Sequence, residues 1–395
     1  MNASALDREL TAKEDDAGAS TGPGRSGVLP IAAWVVLCGL LPLVAVWYSV
    51  GDVVLGDAQA ADFRFAYYPA AEAVLDGGAL YPEEGLVQRG ADGLIVDYVY
   101  PPLTAMLVTP LTVLSVSYAE AVFVLLLLLV SFATLAVLGV RDWRCYGLAL
   151  LWLPVTDGIS TGNMSIVLAF AAALAWRLRD RPLGVGASVG LSLGLKILLW
   201  PLVAWLAGTR RLAAAWWSIA VGLVAALGSW AIVGFEGIAD YPDLARSAGE
   251  RQDQLGYTVY ALGLDLGLAS TPARALWLAL AVSLLAATLV AGRRGHDQRA
   301  FVLALATAIA FSPVVWLHYF SILLVVVAIA QPRLGALWFV GLPLHVVVTT
   351  RVYNGSTFQT ATVLLLEALV VVLALRRLER VPSRAPVSSP AAARS

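Results

Sequence analysis

A single lysine in a long apolar stretch is the first candidate for chemistry. Lys196 lies within VGLSLGLKILLWP, and the seven residues on either side of it carry no other charge. Since ionised groups at membrane depth are costly, an ammonium group here indicates the binding of an anion, most naturally a phosphate. The alternative is a lysine whose head group extends to the outer interface of a membrane and binds nothing.

The second candidate is Asp62, in the stretch ADFRFAYYPAAEAVLD that follows the first apolar run. A carboxylate held at the outer surface of a membrane can act as a general base toward a hydroxyl group. The alternative is a solvated acid in an acidic loop. By that reasoning four other acids have comparable claims: Asp52, Asp57, Asp92 and Asp97.

His318 is the third candidate, in the stretch FSPVVWLHYF, just after Ser312 and Pro313, where we expect a turn. Its ring can donate a hydrogen bond to a phosphate or a sugar hydroxyl, or it can be a packed core histidine. The sequence contains no H-x-x-x-H, C-x-x-C or H-E-x-x-H spacing and no phosphate-binding glycine loop. We therefore expect no metal ion, no nucleotide donor and no other cofactor.

The composition identifies the environment in which these residues must be positioned. The chain has 395 residues, of which 59% are hydrophobic and 13% are charged, whereas a soluble domain has about 25% charged residues. Long apolar runs indicate a membrane protein that crosses the bilayer several times and contacts membrane lipids. The net charge of −1 provides no field for binding nucleic acid.

Charge bias gives the expected arrangement in the membrane. Arginine clusters between the apolar runs mark cytoplasmic loops, at 141–144, 177–181, 210–211, 293–299 and 376–380. This predicts an all-α protein of the plasma membrane with about twelve transmembrane helices and both termini in the cytoplasm. Some of these helices have to be short, because the stretch Leu183–Ala207 must run out and back around Lys196.

Three parts follow from this arrangement. Residues 1–27 are polar and are expected to form a disordered cytoplasmic tail. Residues 28–376 are expected to form the transmembrane domain. Residues 377–395 are expected to be a basic, Pro/Ser-rich cytoplasmic tail.

The largest polar insertion, 51–117, is expected to be the first extracytoplasmic loop. The part Gly51–Tyr100 holds nine acidic residues and two arginines, and loops poor in basic residues face outward. Within it, Tyr68–Asp76 has the spacing of a surface helix that ends at Gly77, and Pro101–Val116 is predicted to be an interfacial or re-entrant helix. Tyrosines of this loop are candidates to bind sugar rings by stacking, among them Tyr67, Tyr68 and Tyr100.

Four motifs occur in a fixed order along the chain. They are D-F-x-x-x-Y-Y-P-A-A continuing to G-x-x-L-Y (Asp62 to Tyr81), Y-x-Y-P-P-L (Tyr98 to Leu103), G-N (Gly162 and Asn163, followed by Lys196 and Pro201) and S-P-x-x-W-x-H-Y (Ser312 to Tyr319). On these motifs the chain, from about Val28 to Arg377, resembles glycosyltransferase family 87, the polyprenyl-phosphate-mannose-dependent mannosyltransferases of the GT-C class. Asn163 departs from the family pattern, in which glutamine is more frequent.

The resemblance implies a GT-C bundle with juxtamembrane helices in its first outer loop, and roles for the candidate residues. Asp62 corresponds to the general base, Lys196 to a basic position near the lipid phosphate, and His318 to a histidine beside the donor. We further expect Arg64 to assist in binding the donor phosphate. The residues expected to bind substrate are Tyr67, Tyr68, Tyr100 and Asn163.

The reaction expected from the resemblance is an inverting transfer of mannose at the outer face of the plasma membrane. The donor is polyprenyl-phosphate-mannose, the acceptor is a mannoside, glycolipid or lipoglycan, and the product has an α-mannosidic bond. Two alternatives remain open: a related enzyme that uses polyprenyl-phosphate arabinofuranose or glucose, and a flippase or transporter of lipid-linked sugars. A transporter should place charged residues midway along several helices, whereas these candidates cluster at one face.

Overall fold

The computed structural model describes residues 28–56, 58–77, 80–81, 88–89, 95–96, 98–252, 254–348 and 356–380. The predicted N-terminal tail and residues 381–395 lie outside the described residues, as do three of the acids considered above, Asp57, Asp92 and Asp97. The last helix extends to Arg380, so the first four residues of the predicted C-terminal tail are helical.

Five helices in the described part of the chain are long and apolar enough to cross a membrane. They are Ile31–Leu55, Val116–Val137, Leu212–Ile232, Ser270–Arg293 and Thr357–Glu379. About twenty apolar residues are needed to span a bilayer as a helix, and all five meet that requirement. The expectation of a helical membrane protein is thereby confirmed, whereas the number of twelve spans stays a prediction.

The remaining helices are shorter. Within the first span, α-helical segments Val28–Val35, Leu41–Val46 and Asp52–Leu55 are joined by π-helical turns Val36–Leu40 and Trp47–Gly51. The other α-helices are Tyr68–Asp76, Pro102–Val108, Trp143–Leu150, Leu153–Ser160, Ser165–Arg177, Pro182–Leu195, Pro201–Gly208, Tyr241–Gln252, Val259–Asp265, Asp297–Phe311, Leu323–Ala330 and Leu344–Val347. A π-helical segment covers Phe63–Tyr67, and 3-10 helices cover Thr109–Val113, Ile197–Leu199, Leu317–Ile322 and Ala336–Phe339.

The described part of the segment 51–117 contains the predicted short helices. The helix Tyr68–Asp76 has the predicted bounds, because Pro69 suits its first turn and Gly77 ends it in a left-handed conformation with φ of +67°. Pro102–Val108 continues as a 3-10 helix to Val113. A two-residue antiparallel strand pair, Gln88–Arg89 with Ile95–Val96, was not predicted, and it leaves the all-α fold class unchanged.

Two breaks between helices carry candidate residues. Lys196 follows the helix Pro182–Leu195 with an extended backbone (φ −160°, ψ 126°), and a 3-10 turn comes next. Gly162, between Ser160 and Ser165, adopts a φ of +70°, and a Cβ atom there would lie 2.8 Å from the Cβ of Phe63. Only glycine is free of strain at such a position, so Gly162 lets the turn before Asn163 pack closely on the Asp62 segment.

Arginine clusters that are far apart in the sequence meet at one end of the bundle. Asp297 forms ion pairs with Arg211 at 2.7 Å and with Arg179 at 3.5 Å, and Arg299 contacts Glu379 at 3.4 Å. Lys196 lies at the other end of the helix that starts at Pro182, about 20 Å along the helix axis. The candidate lysine and the arginine clusters therefore belong to opposite ends of the bundle.

Candidate active site

Asp62 is held by a turn that is one hundred residues away in the sequence. Its backbone N–H donates to the carbonyl oxygen of Thr161 at 3.0 Å, and the side-chain amide of Asn163 donates to Oδ2 of Asp62 at 2.8 Å. Asp62 is partly exposed, whereas Asn163 is fully buried. An amide that donates to a carboxylate fixes its direction and leaves the charge in place.

Lys196 is surrounded by phenol groups. Its ammonium group donates to the hydroxyl oxygens of Tyr319 and Tyr100, the latter at 3.4 Å. It also lies over both rings, 4.0 Å from the ring centroid of Tyr319 and 4.8 Å from that of Tyr100. Hydroxyl oxygens and ring faces can hold an ammonium group without an opposite charge beside it, so the position is suited to receive an anion.

A series of contacts connects the acid to the lysine. Lys196 donates to the hydroxyl of Tyr100, and the ring of Tyr100 packs edge-on against that of Tyr67. The hydroxyl of Tyr67 accepts from the N–H of Met164, which lies in the same turn as the amide that bonds Asp62. The structure thus brings together the two residues that the sequence placed first.

The predicted sugar-binding tyrosines are divided between two surroundings. Tyr67 is fully buried behind Asp62, packs edge-on against Tyr100 with ring centroids 5.0 Å apart, and accepts a hydrogen bond from the N–H of Met164. Tyr68 donates its hydroxyl to the carbonyl oxygen of Leu114 at 2.8 Å and packs against Phe63. Tyr67 and Tyr100 therefore pack against each other near Asp62, whereas Tyr68 contacts the segment at Leu114, and the sugar-binding role of all three stays a prediction.

An aromatic cluster of the outer loop supports Tyr100. Tyr81 stacks on Trp230 with centroids 5.0 Å apart and donates its hydroxyl to the carbonyl oxygen of Tyr100 at 2.5 Å. Tyr98 donates to the carbonyl oxygen of Pro101 at 2.8 Å. Burial raises the pKa of Tyr241, a further member, to about 12, so its phenol stays protonated and can donate to the carbonyl of Val99.

His318 is paired with an acid that the sequence analysis missed. Its Nδ1 lies 3.2 Å from Oδ2 of Asp157, and its Nε2 is buried with no hydrogen-bond partner in the described part of the chain. The ring of His318 also neighbours that of Tyr319, with centroids 5.2 Å apart. A signal for Asp157 did exist, because it is the only acid between Asp142 and Asp180.

Arg64 has an anionic partner within the protein. Its Nε and Nη2 donate to Oε2 of Glu120 at 2.9 and 2.7 Å, and Nη2 also donates to the hydroxyl of Ser117 at 3.0 Å. Glu120 is only 1% exposed, and the sequence analysis did not single it out. The phosphate-binding role of Arg64 stays a prediction, and it would need a donor group that Glu120 and Ser117 leave free.

A mainly apolar cavity of about 340 Å³ lies behind the segment that carries His318. Val315 and Phe320 form one wall, and the helices Ser270–Arg293 and Thr357–Arg380 contribute others. Glu367 also lines it, and neither of its carboxyl oxygens has a hydrogen-bond partner among the described residues. Glu367 is the third acid that the sequence analysis missed, and like Glu120 it is buried.

Among the described residues, no group of three or more His, Cys, Asp or Glu side chains is arranged to hold a metal ion.

Comparison with known proteins gives consistent matches. The sequence model of glycosyltransferase family 87 matches residues 98–317. A polyprenol-phosphate-mannose-dependent alpha-(1-2)-phosphatidylinositol mannoside mannosyltransferase of Mycolicibacterium smegmatis is 27% identical over 359 residues, 81% of each chain. The protein of the same description from Mycobacterium tuberculosis is 26% identical over 292 residues, 64% of this chain and 66% of the relative. No solved structure matches this chain.

The matched range includes Tyr100, Asn163, Asp157 and Lys196 and ends one residue before His318. It covers more than half of the chain, and it agrees with the resemblance drawn from the four motifs. The chain therefore belongs to glycosyltransferase family 87 and is a membrane-embedded glycosyltransferase.

Proposed function

We propose that the protein transfers mannose from polyprenyl-phosphate-mannose to a mannoside acceptor on a glycolipid at the outer face of the plasma membrane. The observation that carries this proposal is the series of contacts that brings Asp62 and Lys196 into one region of the fold, and we propose that the lipid-linked sugar occupies a chamber there. The relatives support the donor and a mannoside acceptor, since their names state both. A phosphatidylinositol mannoside is accordingly the first acceptor to test.

In this proposal Asp62 is the general base. Its carboxylate removes the proton from the acceptor hydroxyl while that oxygen attacks the anomeric carbon of the lipid-linked mannose. The hydrogen bond from Asn163 fixes one carboxylate oxygen, so the direction of the base is set before the acceptor arrives. A single displacement inverts the anomeric centre, and a β-linked donor therefore gives an α-mannoside.

Lys196 stabilises the departing phosphate. Negative charge grows on the phosphate oxygens as the glycosidic bond breaks, and a fixed cation lowers the energy of that transition state. The phenols of Tyr100 and Tyr319 hold the ammonium group from the protein side. His318 is the second phosphate ligand in this proposal, through Nε2, which has no hydrogen-bond partner among the described residues.

The apolar cavity next to this chamber suits part of an isoprenoid tail. Its walls include Val315 and Phe320, the residues that flank the His318 segment. Tyr257 also lines the cavity, and its backbone N–H donates to the carbonyl oxygen of Val315, three residues before His318, at 2.7 Å, which supports a tail site beside the proposed phosphate site. We expect that the lipid enters between helices and keeps its sugar in the chamber.

The side of the membrane follows from charge bias. The arginine clusters meet at the end of the bundle opposite Lys196, and arginine-rich loops are cytoplasmic. The proposal accordingly puts the chamber on the outer side and both termini in the cytoplasm. Cysteine-scanning of Ser312 and Arg299 with a membrane-impermeant thiol reagent tests this: labelling from outside is expected at Ser312 and not at Arg299.

The activity test uses the full chain purified into lipid vesicles with radiolabelled polyprenyl-phosphate-mannose and a phosphatidylinositol mannoside. We expect labelled product that an α-mannosidase degrades. Matched vesicles receive polyprenyl-phosphate glucose or arabinofuranose. Transfer from one of those donors and not from the mannose donor would overturn the sugar assignment, and movement of lipid-linked sugar across the bilayer without transfer would favour a flippase.

A further inference from the structure

The buried carboxylate of Glu120 contacts the chain on both sides of Asp62. Oε1 accepts a hydrogen bond from the backbone N–H of Ala60, and Oε2 accepts two from the guanidinium group of Arg64 at 2.9 and 2.7 Å. Ala60 and Arg64 are the residues two before and two after Asp62. One side chain of the helix Val116–Val137 therefore clamps the whole turn that carries the proposed base.

The clamp acts on a turn that is already closed along the backbone. The N–H of Arg64 donates to the carbonyl oxygen of Ala60 at 2.8 Å, so the two clamped residues are bonded to each other across Asp62. On a helical segment, side chains two positions apart do not share a face. Glu120 thus holds Arg64 on one side of the turn while Asp62 is presented on another.

Further contacts hold the same turn against its neighbours. Phe63 stacks on Phe123 with ring centroids 4.7 Å apart, and Phe123 lies one helical turn after Glu120 on the same helix. From elsewhere in the fold, Thr161 bonds the N–H of Asp62 and Asn163 bonds its carboxylate. The position of Asp62 is consequently fixed from two sides, by the helix Val116–Val137 and by the turn at 161–163.

We infer that Glu120 is a positioning residue for Asp62, which sets the location of the base without touching the substrate. This inference rests on the proposed role of Asp62. Its chemical basis is that both oxygens of Glu120 are satisfied by donors from the Asp62 turn. Removing the partners of a buried ion pair is strongly destabilising, so the arrangement in which the turn and Glu120 satisfy each other is favoured.

The substitution that tests this is Glu120→Gln, which has one carbonyl oxygen and one amide NH₂ in place of two acceptor oxygens. The glutamine oxygen can accept from Ala60 or from Arg64 but not fully from both, so the turn loses part of its hydrogen bonding to the helix. Misplacement of a reacting group by about 1 Å lowers the rate by about 100-fold. We expect kcat for mannosyl transfer to fall by about 100-fold, with the KM for the lipid donor unchanged.

Thr134→Val is the matched control, because it removes a buried polar group from the same helix, Val116–Val137. The hydroxyl of Thr134 donates to the carbonyl oxygen of Val130 in its own helix, and we expect the control to keep the kcat of the unmodified protein. A Glu120→Gln variant with unchanged kcat, or with a loss seen only as a raised donor KM, would overturn the inference.

A double-mutant cycle separates positioning from a general structural effect. If Glu120 acts through Asp62, Glu120→Gln should lower the residual activity of Asp62→Asn by less than about threefold, since the base is already absent. Independent losses that multiply would contradict the inference. If Asp62→Asn has no measurable activity, the cycle is run with Asn163→Leu, where a loss smaller than the product is again expected.

Two outcomes distinguish this inference from the proposed function on which it rests. Full activity of Asp62→Asn removes Asp62 as the base, whereas an inactive Asp62→Asn beside a fully active Glu120→Gln removes only the positioning role. Should Glu120→Gln fail to fold, Arg64→Lys disturbs the same contact and keeps the charge. This variant is expected to lower kcat by about tenfold, within the range of coupling between contacting residues. An unchanged kcat of Arg64→Lys would overturn the inference.

Discussion

Asp62 and Asp157 are two acids close to the same segment, and the side chains that bond them differ. Asp157 belongs to that segment, whereas Asp62 is hydrogen-bonded to it. Asp157 lies on the helix Leu153–Ser160, and the carbonyl oxygen of Thr161, just beyond that helix, accepts the N–H of Asp62. Asp62 is bonded by the neutral amide of Asn163, whereas Asp157 is paired with the ring of His318.

This difference supports a different proposed task for each acid. A hydrogen bond from an amide leaves the carboxylate of Asp62 able to accept the proton of an acceptor hydroxyl, as the proposed base must. A carboxylate paired with Nδ1 of a histidine fixes the orientation of the ring, so the proposed task of Asp157 is to orient His318. In the proposal, the partner of each acid separates the base from the orienting residue.

The largest expected effect comes from removing the base. Asp62→Asn keeps the shape of the side chain and removes its ability to take a proton, so kcat should fall by about 10²–10⁴-fold, measured as label transferred to the mannoside acceptor. Asp52→Asn, a nearby acid on the first span, is the control and should transfer normally. Near-normal turnover by Asp62→Asn would make Asp157 and His318 the next candidate base.

Removing the cation should have the next largest effect. Lys196→Met keeps the length of the side chain and loses the charge, so kcat/KM for the lipid donor should fall by about 10²–10³-fold. Lys196→Arg should recover little, because the planar guanidinium group does not replace a compact ammonium between two phenols.

The control for Lys196 is its neighbour Ile197, whose side chain is 71% exposed toward the surroundings of the bundle. Ile197→Ala should leave donor kinetics unchanged. If Lys196→Met had no greater effect than Ile197→Ala, the lysine would be an interfacial anchor and the phosphate would have another ligand.

The sequence identified Asp62, Lys196 and His318 because each is an ionisable group in apolar or aromatic surroundings. It missed Asp157, Glu120 and Glu367, which look like isolated acids within apolar helices. The roles of these acids depend on partners that are distant in the sequence and become neighbours only in the folded chain. Asp157 contacts His318, 161 residues away, and Glu120 contacts Arg64, 56 residues away. No local pattern encodes such contacts.

The fold was predictable to different degrees for different elements. The bounds of Tyr68–Asp76 follow from Pro69 and Gly77, whose backbone preferences are local. The spans are harder to count, because helices broken at Lys196 or Gly162 are shorter than a bilayer needs. Such broken helices depend on packing with neighbouring helices, which the apolar runs alone do not reveal.

A third prediction tests the orienting role of Asp157. Asp157→Asn keeps an acceptor for Nδ1–H of His318 and removes the charge, so transfer should fall by about tenfold, close to the value of a hydrogen bond to a charged group. In a cycle with His318→Gln the two losses should not multiply, because both act on one phosphate contact. Losses that multiply would show that Asp157 acts on the reaction independently of His318.

The smallest effect is expected at the residue that distinguishes the two acids. Asn163→Gln keeps the amide that bonds Asp62 and lengthens its reach by one carbon, so transfer should change by less than about threefold. Asn163→Leu has a similar volume and no amide, and it should lose more, because the carboxylate of Asp62 is then free to rotate. Equal activity of the two variants, measured with the same donor and acceptor, would mean that the backbone bond to Thr161 and the Glu120 clamp hold Asp62 without the amide. The contrast between the two acids would then rest on the His318 pairing alone.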